Sequence, residues 1–226
     1  MPTDSPGRAL GAEILAFLLA ATCAGCDLPG TLLCDGCRGL LTPADLETRT
    51  PGGLRVRSVF AFDSVAARCI RRLKDHGETM LARPLGRALA DTLRGELGVV
   101  DDAMAVPVPT SRAAFRRRGY RVPDLLISRA GSPAVRLLTT TGVRGDQRGL
   151  DAAERARNVW GSVRARWRGD GAALVLVDDV MTTGATFDEA ARAASAAVFR
   201  ILSAVALAAT PRHSERIADA SGTRRK

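Results

Sequence analysis

Residues 172–187, AALVLVDDVMTTGATF, hold the densest chemistry in the chain. A run of small and β-branched apolar residues from Ala172 to Val177 meets two adjacent carboxylates, Asp178 and Asp179. A small-residue loop follows, Thr182, Thr183, Gly184, Ala185 and Thr186, and then a helical pattern from about Phe187. Carboxylates accept hydrogen bonds from sugar hydroxyls and help to hold a hydrated Mg²⁺. The N–H groups at a helix start, with the positive end of its dipole, attract phosphate. Gly184 lets the backbone come close to a ligand, and the threonines add hydroxyl donors. The plainer reading is a strand–turn–helix with a capping threonine. The acidic pair and the hydroxyl loop, together and in this order, favour an anion-binding corner suited to a sugar phosphate.

Four of the five cysteines fall within fifteen residues, as Cys23-Ala-Gly-Cys26 and Cys34-Asp-Gly-Cys37. Two C-x-x-C turns aim four sulfurs at one point, the donor set of a tetrahedral structural Zn²⁺. Disulfides are the alternative, and the lack of a convincing export signal argues against them. Metal binding is expected to supply the folding energy of a small N-terminal ribbon. Cys69 stands apart, among apolar neighbours at helical spacing, and reads as a buried core thiol.

Elements must position these groups. The unalternating run at 172–177 is a strand covered on both faces, which a parallel sheet requires, and such sheets bind ligands outside the carboxyl ends of their strands. Strands are expected at about 56–62, 103–108, 134–140 and 201–208. Helices are expected from Asp63 or Ser64 to about His76, and at 78–97, 123–130 and 188–199. Leu81, Leu85, Leu89 and Leu93 lie on one face of the second helix. Residues 42–54 read as a polar linker. Residues 141–163 read as a polar, flexible opening near the strand ends, suited to closure over a substrate, that gives way to a short helical piece with Glu154, Arg155 and Asn158 anchored by Trp160 and Val163. The expected organisation is a helix and four-cysteine ribbon over 1–50, a parallel α/β domain over 51–210, and a basic tail over 211–226.

With 226 residues, 46% of them hydrophobic, the chain can form one packed α/β domain with a small appendage. The net charge of +9 is carried almost wholly by arginine, and the only lysines are Lys74 and Lys226. Abundant arginine and alanine can also follow from a GC-rich coding sequence. Arg112, Arg116, Arg117, Arg118 and Arg121 form the densest basic segment, with Phe115 and Tyr120 interleaved. It is either a solvated helix face or a contact for a polyanion. Residues 9–22 are apolar apart from Glu13 but too short to span a membrane, which takes roughly 20 residues. Asp4 and Glu13 spoil a signal peptide, so the stretch reads as an amphipathic helix docking on the body of a cytoplasmic protein. No residue stands out as a general base.

Residues 175–186 resemble the phosphoribosyl-diphosphate (PRPP) motif of type I phosphoribosyltransferases, in which an apolar run, two acidic residues and two variable ones precede a T-T/S-G-x-T loop. Here it stands as Val175-Leu176-Val177, Asp178, Asp179, Val180, Met181, Thr182, Thr183, Gly184, Ala185, Thr186. The resemblance implies that the acidic pair contacts the ribose 2′ and 3′ hydroxyls and that the loop wraps the 5′-phosphate. Further segments resemble the ComF-type subfamily: the four-cysteine ribbon, Leu73-Lys74-Asp75-His76-Gly77, Val106 to Tyr120, and Gln147 to Leu150 with Arg155 and Asn158. This implies a type I phosphoribosyltransferase-like parallel sheet flanked by helices, PRPP bound with Mg²⁺, and Lys74 on a loop meeting the diphosphate. It also implies a link to natural competence, either through ribosyl-phosphate transfer or as a non-catalytic module binding single-stranded DNA and a helicase. After R-G-[FY] the subfamily has Asn-Gln, where this chain has Arg121 and Val122. If that pair meets the acceptor, the acceptor differs here or transfer is lost.

Overall fold

A computed structural model describes residues 21–141 and 160–210. The expected helix at 9–22 up to residue 20, the segment with Gln147, Gly149, Leu150, Arg155 and Asn158, and the tail at 211–226 lie outside the described residues.

The centre is a five-stranded sheet. In chain order its strands are β1 (Leu46–Arg49), β2 (Arg55–Ala61), β3 (Met104–Pro107), β6 (Ala173–Met181) and β7 (Arg200–Ala209), arranged β1-β2-β7-β6-β3. β2, β7, β6 and β3 run parallel, and only the edge strand β1 is antiparallel. A separate antiparallel pair joins β4 (Leu138–Thr140) to β5 (Val163–Ala165). The helices are α1 (Asp35–Leu40), α2 (Ser64–Asp75), α3 (Ala82–Leu97), α4 (Arg112–Arg118), α5 (Val122–Arg129) and α6 (Ala185–Ala196), with a 3₁₀ turn at Thr79–Leu81.

Two core layers sandwich the sheet. Val175 and Val177 of β6 join Ile70 and Leu73 of α2, Leu85, Leu89 and Leu93 of α3, and Leu126 and Ile127 of α5. Leu174 and Leu176 face the other way, with Phe187, Ala190 and Ala194 of α6 and Leu138 and Val163 of the small pair. This two-sided burial is why the strand shows no polar alternation. The leucine face of α3 is almost wholly buried, as its spacing predicts. Asp63 caps α2, and His76 ends it.

Several expectations need correction. The acidic pair does not terminate its strand: β6 continues through Val180 to Met181, because β7 pairs with it as far as Ala209. Residues 42–54 are not a linker. Leu46–Arg49 add an edge strand to the sheet and turn through residues 50–53 into β2. The segment expected as one strand at 134–140 is split. Ala134 makes a single bridge to Ala105, with Val135 N–H donating to the Ala105 carbonyl (2.9 Å), and Leu138–Thr140 then pair with β5. The next ladder bond needs an N–H from residue 107, which is a proline. The long second helix opens with the 3₁₀ turn before becoming α-helical at Ala82. No helix among the described residues is long and apolar enough to cross a membrane.

One buried ion pair ties the small sheet to α6. Glu189, buried, receives the Val163 N–H (2.9 Å) and both Nε (2.6 Å) and a terminal nitrogen (2.8 Å) of Arg192, which also donates to the Val163 carbonyl (3.1 Å). Burial pushes the Glu189 carboxyl up, but the Arg192 guanidinium and these N–H groups outweigh it and hold it below its ordinary value. Replacing Glu189 with Ala strands Arg192 and the Val163 N–H. Breaking a buried pair costs about 3–5 kcal/mol, and partial exposure of Arg192 places this one near the low end. We expect a two-state unfolding curve of Glu189→Ala shifted down by about 3 kcal/mol. A lowered carboxyl contributes stability above its unfolded value and loses it on acidification. The difference from wild type should therefore shrink as pH falls below about 4.

Candidate functional site

β6 delivers the acidic pair to the carboxyl end of the sheet. Alternation sends the two side chains to opposite faces. Asp179 turns toward the layer containing α2, is nearly buried, and receives the Lys74 ammonium at 2.8 Å. Asp178 turns the other way, half-buried, and accepts the Asp179 N–H at 2.8 Å. Burial and then the neighbouring Asp179 charge push the Asp178 carboxyl well above its ordinary value. Lys74 and the accepted N–H oppose that only in part. Lys74 does not stand on a loop, as the resemblance implies. It occupies the last turn of α2, so helix packing aims it. The fully buried Leu73 anchors that turn, and the Tyr120 hydroxyl donates to the Leu73 carbonyl.

Of the PRPP-motif residues, Val180 and Met181 still belong to β6. Met181 points into the core, and its carbonyl accepts from Thr210 N–H at 3.0 Å. Thr182, Thr183 and Thr186 are exposed. Gly184 is the N-cap of α6 at φ +85°, with no side chain to cap the helix, so the first-turn N–H groups face the loop. A Cβ on Gly184 would sit 3.0 Å from the Cβ and Cγ2 of Thr50, in a backbone region L side chains rarely adopt. Ala185 N–H donates to Thr183 Oγ1 (3.4 Å). This is a loop of exposed threonine hydroxyls beside two carboxylates.

Thr50 and Asp188 hold the loop from behind, and the sequence reading missed both. The Thr50 hydroxyl donates to Asp188 Oδ1 and Gly52 N–H to Asp188 Oδ2 (2.9 Å), while Thr50 Oγ1 accepts from Leu54 N–H (3.1 Å). The β1–β2 turn is thereby fastened to the first turn of α6. The available signal was an acidic residue in a helix first turn and a Thr-Pro-Gly-Gly turn, but their 138-residue separation hides the pairing.

The basic segment does not form one face. Ser111 caps α4, and Gly119 at φ +79° ends it. Arg118 turns back to Asp75 (3.7 Å), beside the Lys74 helix, and its Nε is buried without a partner. Arg117 is exposed. Arg112, Arg116 and Arg121 instead line a cavity of about 340 Å³ beyond β3.

The four N-terminal cysteines come together: their Sγ atoms lie within 4.8 Å of one another, with Cys26 and Cys34 at 3.7 Å. All five cysteines are free, so the disulfide alternative is not formed. Sulfurs about 2.3 Å from a tetrahedral zinc stand about 3.8 Å apart, so the donor set fits that ion. Cys23 Sγ accepts N–H groups from Cys34 (3.3 Å) and Gly25 (3.4 Å), and Cys34 Sγ accepts one from Cys37 (3.4 Å). Burial pushes the Cys23 thiol up, but these donors outweigh it and bring it to about 6. A Cβ on Gly25 would meet Cys37 Sγ at 2.5 Å, which is why the turn takes glycine. The cluster is not a detached appendage. Cys23, Ala24, Leu33 and Cys37 belong to the same core layer as α2, and Asp27 pairs with Arg68 and with Arg72 (2.5 Å). Cys69 is fully buried, and burial raises its thiol to about 11, as expected of a core residue.

The raised Asp178 carboxyl has a consequence for stability. The native state keeps a proton that the unfolded chain has lost, so stability falls as pH rises from about 4 toward the raised native value. Asp178→Asn keeps the acceptor for Asp179 N–H and removes the charge. The variant should melt above wild type at pH 7, and the gap should close near pH 3. Equal melting curves at pH 7 would show that Asp178 carries no such cost.

No protein-family model matches the chain, and no curated protein matches it. Among solved structures, an adenine phosphoribosyltransferase is similar at 15% identity and a TM-score of 0.41, covering 80% of this chain and 94% of that one. The Saccharomyces cerevisiae adenine phosphoribosyltransferase, complexed with D-2,5-dideoxy-2,5-imino-altritol 1,6-bisphosphate and adenine, is similar at 13% identity and 0.41, covering 78% and 89%. Orotate phosphoribosyltransferase from Aeropyrum pernix is similar at 17% identity and 0.36, covering 83% and 85%.

Proposed function

We propose that the protein binds PRPP with Mg²⁺ at the end of β6. The observation that carries this reading is local. Asp178 and Asp179 stand near the carboxyl end of a central parallel strand, followed within three residues by a loop with exposed Thr182, Thr183 and Thr186 and by the start of α6, which Gly184 leaves without a side-chain cap. Ribose hydroxyls donate to the acidic pair, while loop N–H and threonine hydroxyl groups receive the 5′-phosphate. Lys74, already bound to Asp179, brings positive charge to the side where a diphosphate leaves. Mg²⁺ supplies neutralisation of that diphosphate when bound. Transfer at the anomeric carbon would then rest on positioning and charge stabilisation. A link to DNA uptake rests on the sequence resemblance alone.

We propose further that Cys23, Cys26, Cys34 and Cys37 hold one structural Zn²⁺. Because their turns share the core with α2, the metal supports the helix that carries Lys74.

Two measurements test these readings. Asn at both 178 and 179 removes charge with little change in shape. Each charge-assisted hydrogen bond is worth about 1.5–3 kcal/mol, so PRPP affinity by titration calorimetry with Mg²⁺ should fall at least roughly tenfold. Unchanged affinity, or no binding by the wild type, would sink the assignment. Elemental analysis of protein purified without added metal should find about one zinc per chain. Cys34→Ser should lose it and lower the melting temperature of the whole domain rather than of a ribbon alone. Absence of zinc in the wild type, with all four cysteines freely alkylated in the native state, would overturn the metal site.

A further inference from the structure

The cavity beyond β3 is separate from the loop that follows β6. Its floor is the Pro107–Thr110 exit of β3. Pro107 lies opposite Val177 in register, and Val108 N–H donates to the Val177 carbonyl at 2.8 Å. The cavity therefore opens beside the acidic pair, one strand over. At about 340 Å³ it falls in the range of small-molecule sites, near the lower limit.

Its charge is one-sided. Arg112 and Arg116 come from α4, Arg121 from the start of α5, Arg136 from the approach to β4, and Arg166 from the residue after β5. Among the described residues, the one carboxylate of the lining is Asp124, which accepts a hydrogen bond from Arg136 Nε. Arg121 lies with its guanidinium 4.2 Å from the Phe115 ring centroid, which fixes its plane at the wall. Arg112, Arg116 and Arg166 make no ion pair among the described residues. Solvated surface arginines would spread over the helix faces. Here four separate stretches of chain bring theirs to one concavity, where walls of low dielectric concentrate the field. Guanidinium forks match carboxylate and phosphate oxygens in pairs.

We propose that this cavity is a binding site for a small, multiply charged anion carrying carboxylate or phosphate groups. Its size favours a small molecule over a nucleic-acid strand, which needs a groove that tracks the backbone and aromatic platforms for its bases. The chain is only 4% aromatic, and among the described residues Phe115 is the one aromatic in the lining. The site stands without the PRPP reading. Its role beside the acidic pair, as the position of the second reactant, rests on that reading and makes the reactant an anion.

The test uses the full chain at low ionic strength and two probes, benzene-1,3,5-tricarboxylate and phenyl phosphate, each against its uncharged counterpart. Titration calorimetry should show saturable binding of at least one charged probe and none of the neutral ones, the stronger probe marking carboxylate or phosphate as the recognised group. Arg112→Gln with Arg166→Gln, both exposed and outside the core, should weaken that probe tenfold or more, and Arg166→Gln alone should weaken it less. Raising salt should weaken it too, because the arginines are solvent-facing. Circular dichroism of each variant should match wild type. Failure of both charged probes to bind, or equal binding by the arginine variants, overturns the site. Binding of an oligothymidylate that displaces the probe and loses affinity with salt at several phosphates' slope also overturns it in favour of a strand site. PRPP binding, measured on the same sample, should survive the arginine substitutions. Its absence with probe binding intact removes the second-reactant role and leaves the anion site standing.

Discussion

Two adjacent carboxylates near the end of a covered strand set the constraint that the rest of this molecule serves. The desolvated charges repel each other, and the fold answers with one ammonium. Lys74 reaches Asp179 at 2.8 Å, while Asp178 is left with a raised carboxyl. That geometry depends on α2 being held at the right height along the sheet. Leu73 and Ile70 bury its apolar face, Tyr120 ties its last turn to the basic segment, and Arg72 fastens its outer side to Asp27 and Glu78. A lysine suits the task better than the arginines that fill the surface, since a compact ammonium satisfies one carboxylate oxygen without imposing a fork.

The cysteine cluster belongs to the same chain of supports. A four-cysteine motif near a terminus reads as an independent ribbon when only spacing is visible. In the folded protein Cys23 and Cys37 lie against α2, in the layer that also holds Cys69 and Leu73. Metal at that point would brace the helix that carries Lys74 rather than a detached module. The rear of the loop after β6 is braced from the opposite side, where the β1–β2 turn grips Asp188 through Thr50 and Gly52. The acidic pair and the loop after β6 are thus braced by different parts of the N-terminal quarter of the chain.

Charge is distributed by topology rather than by sequence proximity. The basic segment at 112–121 is contiguous, yet its arginines go to two places. Arg118 faces Asp75 and the lysine helix, whereas Arg112, Arg116 and Arg121 face a cavity completed by Arg136 and Arg166. The small β4–β5 pair supplies the far wall of that cavity, and Glu189 of α6 holds the pair in place.

Local chemistry was legible in the residues themselves. The unbroken apolar run before Asp178 showed a strand buried on both sides, and the leucine spacing at 81–93 showed the face α3 buries. The paired C-x-x-C turns showed where four sulfurs meet. Each of these is a short-range pattern, fixed by the period of an element or the reach of one turn. Contacts between distant segments were not legible. No periodicity relates Thr50 to Asp188, Lys74 to Asp179, or Arg112 to Arg166. Those pairs arise because parallel strands bring residues far apart in the chain to the same sheet end. The strand length at β6, which runs past the acidic pair to Met181, was likewise set by its neighbour β7. The edge strand at 46–49 escaped a reading that saw only Pro, Gly and charge. Edge strands carry just those residues, because one side of their backbone faces solvent.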